Sequence, residues 1–266
     1  MKLYRYLQAA TIAIKNMILG GNIISLTLLK NPKKMKEYIY ESLFLYRALN
    51  LKRGLPEKYV NQVLPCKNVE SIKLGNLNTD VAWFWLAPYT TDILALCLIC
   101  QLLKQKIVFE IGTLHGYSAF HFALNTPDDA IIYTLDLPKD KTIYPKLNIT
   151  PNDYTHIIEH QRPQKYFFED SEVASKIHCL FGDSADFDFS EFYGKVDFFY
   201  IDGSHSYEYV RSDTLNALKC CHKGSVIAWD DFGRVGLNGV SEYLLELSQD
   251  HEIYVVPGGS TAFMVV

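Results

Sequence analysis

The sequence predicts an α/β fold that is Rossmann-like and doubly wound, with a mostly parallel seven-stranded sheet, a C-terminal antiparallel hairpin and an N-terminal helical extension. Two observations lead to this prediction. From about residue 90 onward, short apolar runs alternate with segments of helical periodicity, which is typical of a parallel sheet covered by helices on both faces. The last two apolar runs flank Pro257-Gly258-Gly259, which favours a hairpin.

The individual elements follow from these patterns in chain order. Strands are predicted at residues 107–111, 131–136, 177–181, 196–202, 225–231, 253–256 and 262–266. Helices are predicted at residues 92–104, 117–124, 207–221 and 240–247. Residues 1–75 show helical patterns separated by turns at Asn31-Pro32 and Gly54-Leu55-Pro56. We therefore divide the chain into a helical extension at residues 1–87 and one α/β domain at residues 88–266.

One connection, at residues 137–175, is much longer than the roughly 2–6 residues that usually join strands and helices. It contains Pro145, Tyr154, His156, His160 and Arg162. We predict that this insertion is a functional lid; an excursion into solvent without a role is the alternative.

The composition excludes several classes of protein. Hydrophobic residues make up 48% of the chain and charged residues 21%, so the chain can bury a core and is not a low-complexity or disordered protein. A net charge of -4 and a pI near 6.1 give no reason to expect nucleic acid as a partner. The six cysteines show no disulfide pattern, which predicts buried free thiols and a cytoplasmic location.

The charge is unevenly distributed along the chain. Residues 1–60 contain 11 basic and 3 acidic residues, a balance of +8, which leaves a balance of -12 for the remainder. The 14 residues between Lys15 and Lys30 are too few for a membrane span, which needs about 20. This segment can lie in a membrane interface, or it can pack on the body or on a second subunit. Weak peripheral membrane contact and a homo-oligomer are therefore both open.

A glycine-rich turn joins the first predicted strand to a helix, with the sequence Glu110-Ile-Gly112-Thr-Leu-His-Gly116-Tyr-Ser118. The glycines let a ligand approach the backbone, and the N-terminus of the following helix favours an anionic group. The spacing is GxxxG and differs from the GxGxxG of dinucleotide-binding proteins. Asp136, 20 residues beyond Gly116 at the end of the second strand, is placed to accept hydrogen bonds from ribose hydroxyls.

A second group of polar residues follows the fourth and fifth predicted strands: Asp202, His205, Asp230 and Asp231. Because adjacent parallel strands end at the same edge of a sheet, we expect these side chains to converge. Converging carboxylates repel one another and need a cation or a proton, and oxygen ligands suit Mg²⁺, Mn²⁺ or Ca²⁺ rather than zinc. The alternative is that the acids cap the helices that follow.

Together with Gly182-Asp183-Ser184 after the third strand, these motifs resemble those of class I S-adenosylmethionine-dependent methyltransferases. They are most similar to the metal-dependent O-methyltransferases that methylate sugar hydroxyls of macrolide antibiotics. In those enzymes an aspartate, a histidine three residues later and an Asp-Asp pair after the next strand recur. The resemblance covers about residues 88–266. Catechol O-methyltransferases are less similar because they have Asp-Asn where this chain has Asp230-Asp231.

The resemblance implies a role for each motif residue. S-adenosylmethionine would be bound by Glu110, Gly112, Gly116, Ser118, Asp136, Asp183, Ser184 and Asp202. A divalent cation, Mg²⁺ or Mn²⁺, would be bound by Asp202, Asp230 and Asp231. His205 would be the catalytic residue, a neutral general base that removes the proton of the acceptor hydroxyl.

The sequence therefore predicts a metal-assisted O-methyltransferase that acts on a hydroxyl of a sugar or another polyhydroxylated small molecule. A non-catalytic or scaffold protein that retains the fold and the cofactor site is the alternative. A nicotinamide-dependent oxidoreductase is disfavoured because the GxGxxG motif is missing.

Overall fold

The structure is a computed structural model that describes residues 54–65, 71–75, 80–103, 106–138, 145–151, 153–154, 165–234 and 237–266, with only the backbone for residues 80–90. All of these residues belong to one compact unit at residues 51–266. The helices predicted before residue 54, the turn at Asn31-Pro32 and the segment between Lys15 and Lys30 lie outside the described residues.

The described residues form seven strands in one sheet. The strands are β1 (Ile107–Ile111), β2 (Ile131–Asp136), β3 (Ile177–Phe181), β4 (Val196–Ile201), β5 (Cys221–Trp229), β6 (Tyr254–Val255) and β7 (Ala262–Val265). Their order across the sheet is β3-β2-β1-β4-β5-β7-β6, and β7 runs antiparallel to both of its neighbours. The predicted doubly wound, seven-stranded sheet with a C-terminal hairpin is confirmed.

Helices cover both faces of this sheet. They are α1 (Val60–Val63), α2 (Asp80–Leu103), α3 (Tyr117–Asn125), α4 (Tyr207–Cys220) and α5 (Asn238–Leu247), with short 3₁₀ helices at Ala174–Lys176 and Ser190–Phe192. Successive strand residues point to opposite faces of the sheet and belong to two hydrophobic cores. Phe109 and Phe199 pack with α4 and α5 in one core, whereas Val108 and Phe198 pack with α2 and α3 in the other. Burial on both faces explains why the central strands are almost continuously apolar.

Several element boundaries differ from the prediction, and the largest difference, at the start of α2, has a physical reason. Helix α2 begins at Asp80 rather than residue 92, and it crosses the predicted boundary between residues 87 and 88. Asp92 is typical of a helix start, but its carboxylate accepts hydrogen bonds from the amides of Ser260 (2.7 Å) and Thr261 (2.8 Å). Strand β5 ends at Trp229, so Asp230 and Asp231 lie directly beyond the strand.

Five cysteines fall in the described part of the chain, and all five are free thiols. Cys97, Cys100, Cys220 and Cys221 are buried, and Cys179 is half-buried. Burial raises the pKa of Cys97 to about 12, which keeps it protonated. Among the residues that the structure describes, no helix combines the length and the apolarity needed to cross a membrane.

Candidate active site

The glycine-rich turn after β1 is built around a buried carboxyl group. Glu110 is fully buried and accepts hydrogen bonds from the hydroxyls of Ser118, at the start of α3, and Thr134, on β2 (2.5 Å). Burial raises the pKa of Glu110 to about 7, although these hydrogen bonds act in the opposite direction. Glu110 therefore ties the turn to α3 and β2, and its contact with the methionine part of a cofactor stays a prediction.

Two glycines are required by the geometry of this turn. Gly112 has a φ of 101° and Gly116 a φ of 74°, a region that glycine adopts far more easily than other residues. A Cβ on Gly112 would lie 1.9 Å from the carbonyl oxygen of Asp202, and a Cβ on Gly116 would lie 2.5 Å from the ring of Phe168. Gly112 thus lets the turn approach the loop after β4, and Gly116 lets it approach the insertion.

Asp136 lies at the end of β2, beside the glycine-rich turn, as the sequence predicts. One carboxylate oxygen accepts a hydrogen bond from the amide of Leu114 in the turn (2.9 Å), and the other accepts one from the amide of Leu137 (2.7 Å). The carboxylate is only partly buried. A ribose bound at this position would meet an oriented acid at the carboxyl end of β2.

Asp183 has a structural function that the sequence did not indicate. The Asp183 carboxylate is buried and accepts hydrogen bonds from the hydroxyl of Tyr209 (2.8 Å), the amide of Ala185 (2.9 Å) and the amide of Lys146 (3.0 Å). Because Lys146 belongs to the insertion, Asp183 holds the insertion against the end of β3. Ser184 beside it is also buried, and the adenine contact predicted for both residues stays a prediction.

The acids after β4 and β5 lie together, as predicted. The amide of Asp230 donates a hydrogen bond to the carbonyl oxygen of Ile201, the last residue of β4 (3.0 Å), and this joins the two loops. The Asp230 carboxylate accepts a hydrogen bond from the hydroxyl of Ser260 (3.1 Å). A small cavity of about 10 Å³ is lined by Asp202, His205, Asp230 and their neighbours in the loops after β4 and β5.

His205 is held between two buried carboxylates. Its Nδ1 lies 2.6 Å from Asp153, which belongs to the insertion, and its Nε2 lies 3.0 Å from Asp231. The Nη1 atom of Arg234 lies 2.7 and 2.9 Å from the two oxygens of Asp231. Asp231 has a φ of 61°, which is unusual for a residue other than glycine. Strained backbone conformations of this kind cluster at functional sites. We call six residues the acid–histidine cluster: Asp153, Asp202, His205, Asp230, Asp231 and Arg234.

Burial and the neighbouring charges shift the pKa values of His205, Asp231 and Asp202. Burial acts to lower the pKa of His205, but the hydrogen bonds and charges of Asp153 and Asp231 outweigh it and raise this pKa well above its ordinary value. For Asp231, His205 and Arg234 outweigh burial and lower the pKa. The pKa of Asp202 is raised well above its usual range by burial and by the negative charges of Asp230 and Asp231.

Residues 109–232 match the protein family described as "Methyltransferase domain". The chain carries a methyltransferase domain. The matched span contains the glycine-rich turn, Asp136 and the acids after β4 and β5, which are the motifs on which the predicted class I assignment depends. That assignment is confirmed by the family match together with the sheet order.

Solved methyltransferase structures are similar to this domain. They include the O-methyltransferase TomG of Streptomyces achromogenes, with 18% identity over 66% of this chain and 79% of that chain at a TM-score of 0.45. An O-methyltransferase from Bacillus cereus is 17% identical over 78% of this chain and 96% of that chain, with a TM-score of 0.46. The TDP-rhamnose 3'-O-methyltransferase CalS11 is 16% identical over 71% and 84% of the two chains, with a TM-score of 0.47. A comparison with curated proteins gives no significant match.

The residues of the methyltransferase domain fit S-adenosylmethionine as cofactor. The acid–histidine cluster contains four carboxylates and two cationic side chains, and both burial and the negative charges of Asp230 and Asp231 raise the pKa of Asp202. The sulfonium and ammonium groups of S-adenosylmethionine are positively charged, so they would offset this negative charge. Asp136 lies at the same edge of the sheet, and its contact with the ribose stays a prediction.

The three carboxylates predicted to bind a metal do not form a metal site in the described part of the methyltransferase domain. Among the described residues, no group of three or more His, Cys, Asp or Glu side chains is arranged to hold an ion. Asp231 is the reason, because both of its oxygens accept hydrogen bonds from Arg234 and one also accepts from His205. As arranged here, protein cations already neutralise the carboxylate that a metal would need.

Sequence reasoning missed two members of the cluster, Asp153 and Arg234. Arg234 follows Asp231 by three residues, a spacing that allows contact within a turn. Thr150 and Asp153 have the spacing of a capping box, and each accepts a hydrogen bond from the other's amide (3.1 and 3.2 Å). These signals indicate local turns, but the contact of Asp153 with His205 joins residues 52 positions apart in the sequence.

Proposed function

We propose that this methyltransferase transfers the methyl group of S-adenosylmethionine to a hydroxyl oxygen of a sugar or another polyhydroxylated small molecule. One observation above all supports the proposal: His205 is oriented by two carboxylates at the edge of the sheet where the predicted cofactor residues lie. Methyl transfer to a hydroxyl requires a group that removes a proton, and an oriented histidine is suited to that task.

S-adenosylmethionine, when bound, supplies a methyl group on a positively charged sulfur. A cation beside the acid–histidine cluster acts to lower the pKa of His205, against the effect of Asp153 and Asp231, and so favours loss of the ring proton. His205 would take the proton of the acceptor hydroxyl at Nε2 once Nε2 had released its hydrogen bond to Asp231, and the cofactor would supply the methyl group and leave as S-adenosylhomocysteine. Asp231, itself neutralised by Arg234, stabilises the protonated ring.

A non-catalytic scaffold is the second candidate, and the same cluster argues against it. Burying several carboxylates is costly unless each is paired or hydrogen-bonded. A scaffold would be more stable with apolar residues at these positions, whereas Asp153 and Asp231 are nearly fully buried and both are directed at His205. This arrangement suits proton transfer better than it suits stability.

Divalent-metal assistance, which the sequence predicts, stays a prediction. It would require Asp231 to release Arg234 as well as His205 to the ion, whereas proton transfer to Nε2 requires the release of His205 alone. Loss of methyl transfer in EDTA, with recovery in Mg²⁺ or Mn²⁺, would support the metal. Full activity in EDTA would contradict it.

The remaining predictions about partners and location are carried forward as proposals. The acidic balance of -12 beyond residue 60 favours a small-molecule acceptor over nucleic acid. The balance of +8 in residues 1–60 favours weak, salt-dependent contact with an anionic membrane surface, and a homo-oligomer is the competing use of that segment. Cytoplasmic location rests on the absence of a disulfide pattern among the six cysteines.

The proposal is tested with S-adenosylmethionine labelled on its methyl group. The purified protein is incubated with a small-molecule extract and with free sugars, including rhamnose, and labelled products are separated from the cofactor. We expect transfer by the wild-type protein and a loss on the order of 10² to 10⁴-fold in His205→Gln, the range for a general base. Binding of S-adenosylhomocysteine, measured by calorimetry, without transfer to any acceptor would support the scaffold instead.

A further inference from the structure

Among the described residues of the insertion, Asp153 contacts the ring of His205 directly. Its side chain is buried, and both of its oxygens are used. One oxygen contacts only Nδ1 of His205 (2.6 Å), whereas the other accepts hydrogen bonds from the Ser204 hydroxyl (2.9 Å), the His205 amide (3.1 Å) and the Thr150 amide (3.2 Å). A single carboxylate therefore fixes both the backbone and the ring of His205.

The insertion is also fastened at a second point, close to Asp153 in the sequence. The amide of Lys146 donates hydrogen bonds to Asp183 (3.0 Å) and to the hydroxyl oxygen of Tyr209 (3.2 Å). Asn148 adds a hydrogen bond to Glu208 (3.2 Å). The described residues between 145 and 154 are thus attached to the loop after β3, to α4 and to the loop after β4, so the stretch that carries Asp153 is anchored to three elements of the domain.

We infer that Asp153 is the positioning residue for His205, supplied by the insertion; this inference rests on the proposed methyl transfer. An imidazole ring has two nitrogens, and a carboxylate that binds the Nδ1 proton determines that Nε2 is the nitrogen that faces the reaction. Here Nε2 lies 3.0 Å from Asp231, and His205 lines the same small cavity as Asp202 and Asp230. The insertion is therefore part of the catalytic machinery, and the site is incomplete when the insertion is not attached.

A purely local role for Asp153 would explain fewer of its contacts. Closing the turn with Thr150 needs one carboxylate oxygen, and that oxygen also holds Ser204 and the amide of His205. The remaining oxygen, 2.6 Å from the ring, has no part in the turn. A local role predicts that a neutral residue of the same shape preserves activity, whereas a positioning role predicts that the charge matters.

The test compares Asp153→Asn and Asp153→Ala with Asp170→Asn as control. Asp170 lies in the same insertion, is exposed and pairs only with Lys165 among the contacts described for it. Label transfer to the small-molecule extract is measured against S-adenosylmethionine concentration. We expect the maximal rate of Asp153→Asn to fall roughly 10- to 100-fold, below the full effect of a general base. Half-saturation by S-adenosylmethionine should change less than about twofold, since the ribose contact at Asp136 is untouched.

A second measurement keeps the inference testable apart from activity. Hydrogen exchange of the His205 amide should accelerate in Asp153→Ala, which loses its acceptor, and stay unchanged in Asp170→Asn. An unchanged exchange rate of the His205 amide in Asp153→Ala would overturn the hydrogen bond between that amide and Asp153. An unchanged maximal rate in Asp153→Asn would overturn only the positioning role. Absence of transfer by the wild-type protein would instead overturn the proposed function and with it the role of Asp153.

Discussion

Asp213, on α4, is a buried acid that the proposed reaction does not use. Its side chain is 0% exposed, and neither carboxylate oxygen has a hydrogen-bond partner of ordinary geometry among the described residues. Burial raises the pKa of Asp213 from 3.8 to about 7; the nearby Ser184 hydroxyl lowers it in part, and the charge of Asp183 raises it. Asp213 should therefore make the stability of the protein depend on pH.

The direction of this dependence is opposite to that of most acids. In the unfolded chain Asp213 loses its proton near pH 3.8, whereas in the folded protein it keeps the proton up to about pH 7. Between these values the folded state binds more protons, so the free energy of unfolding falls as pH rises. The difference corresponds to roughly 4 kcal/mol, at about 1.36 kcal/mol for each pKa unit. The loss of stability that ionisation of Asp213 causes is absent below about pH 4 and complete above about pH 7.

The substitution Asp213→Asn removes the ionisation and retains the shape. Urea denaturation of the variant and the wild-type protein, from about pH 4 to pH 8, gives the difference in their free energies of unfolding. We expect this difference to change by roughly 3–4 kcal/mol in favour of the variant as pH rises. Burial of the amide adds a constant cost of about 1–3 kcal/mol, which does not alter the slope.

The comparison isolates Asp213 from other groups that titrate in the same range. Glu110, with a pKa of about 7, is present in both proteins, so its contribution cancels. For the exposed control Asp170→Asn, the difference in free energy of unfolding from the wild-type protein should hardly change with pH. If the difference in free energy of unfolding between Asp213→Asn and the wild-type protein also did not change with pH, the buried carboxyl would have to be solvated or paired in solution. That result would refute the reasoning.

Three other predictions follow from contacts at the site. Asp136→Ala should weaken binding of S-adenosylhomocysteine at least about tenfold in calorimetry, because charge-assisted hydrogen bonds contribute roughly 1.5–3 kcal/mol each; an unchanged affinity would place the ribose elsewhere. Arg234→Ala should expose Asp231 and create Mn²⁺ binding, detected by electron paramagnetic resonance; equal binding by the wild-type protein would contradict the neutralisation by Arg234. Gly112→Ala should lower the melting temperature far more than Gly224→Ala, because both have positive φ but only Gly112 lies against backbone; equal losses would exclude the close approach.

The parallel part of the sheet was predictable from sequence because β1 to β5 each contain an apolar run that ends at a glycine or an aspartate. Strand β4 was predicted at residues 196–202 and is observed at Val196–Ile201, so the register that brings Asp202 to the sheet edge follows from the sequence. The start of α2 was not predictable in the same way. Asp92 is a helix-start residue by local preference, and only its contacts with Ser260 and Thr261, 168 and 169 positions away, show why it lies inside a helix.

The same distinction between local and distant contacts separates the predicted site from the observed one. Three acids after neighbouring strands predict that some positive charge lies near them, but the pattern does not specify whether it is a metal ion, a cofactor or a side chain. The structure gives part of the answer through Arg234 and His205, which neutralise Asp231. Asp153 completes the set from a segment without a readable motif, 52 positions from His205 in the sequence. Chemistry assigned from a motif alone is therefore most open to error at charge balance, because the residues that set the balance can come from anywhere in the chain.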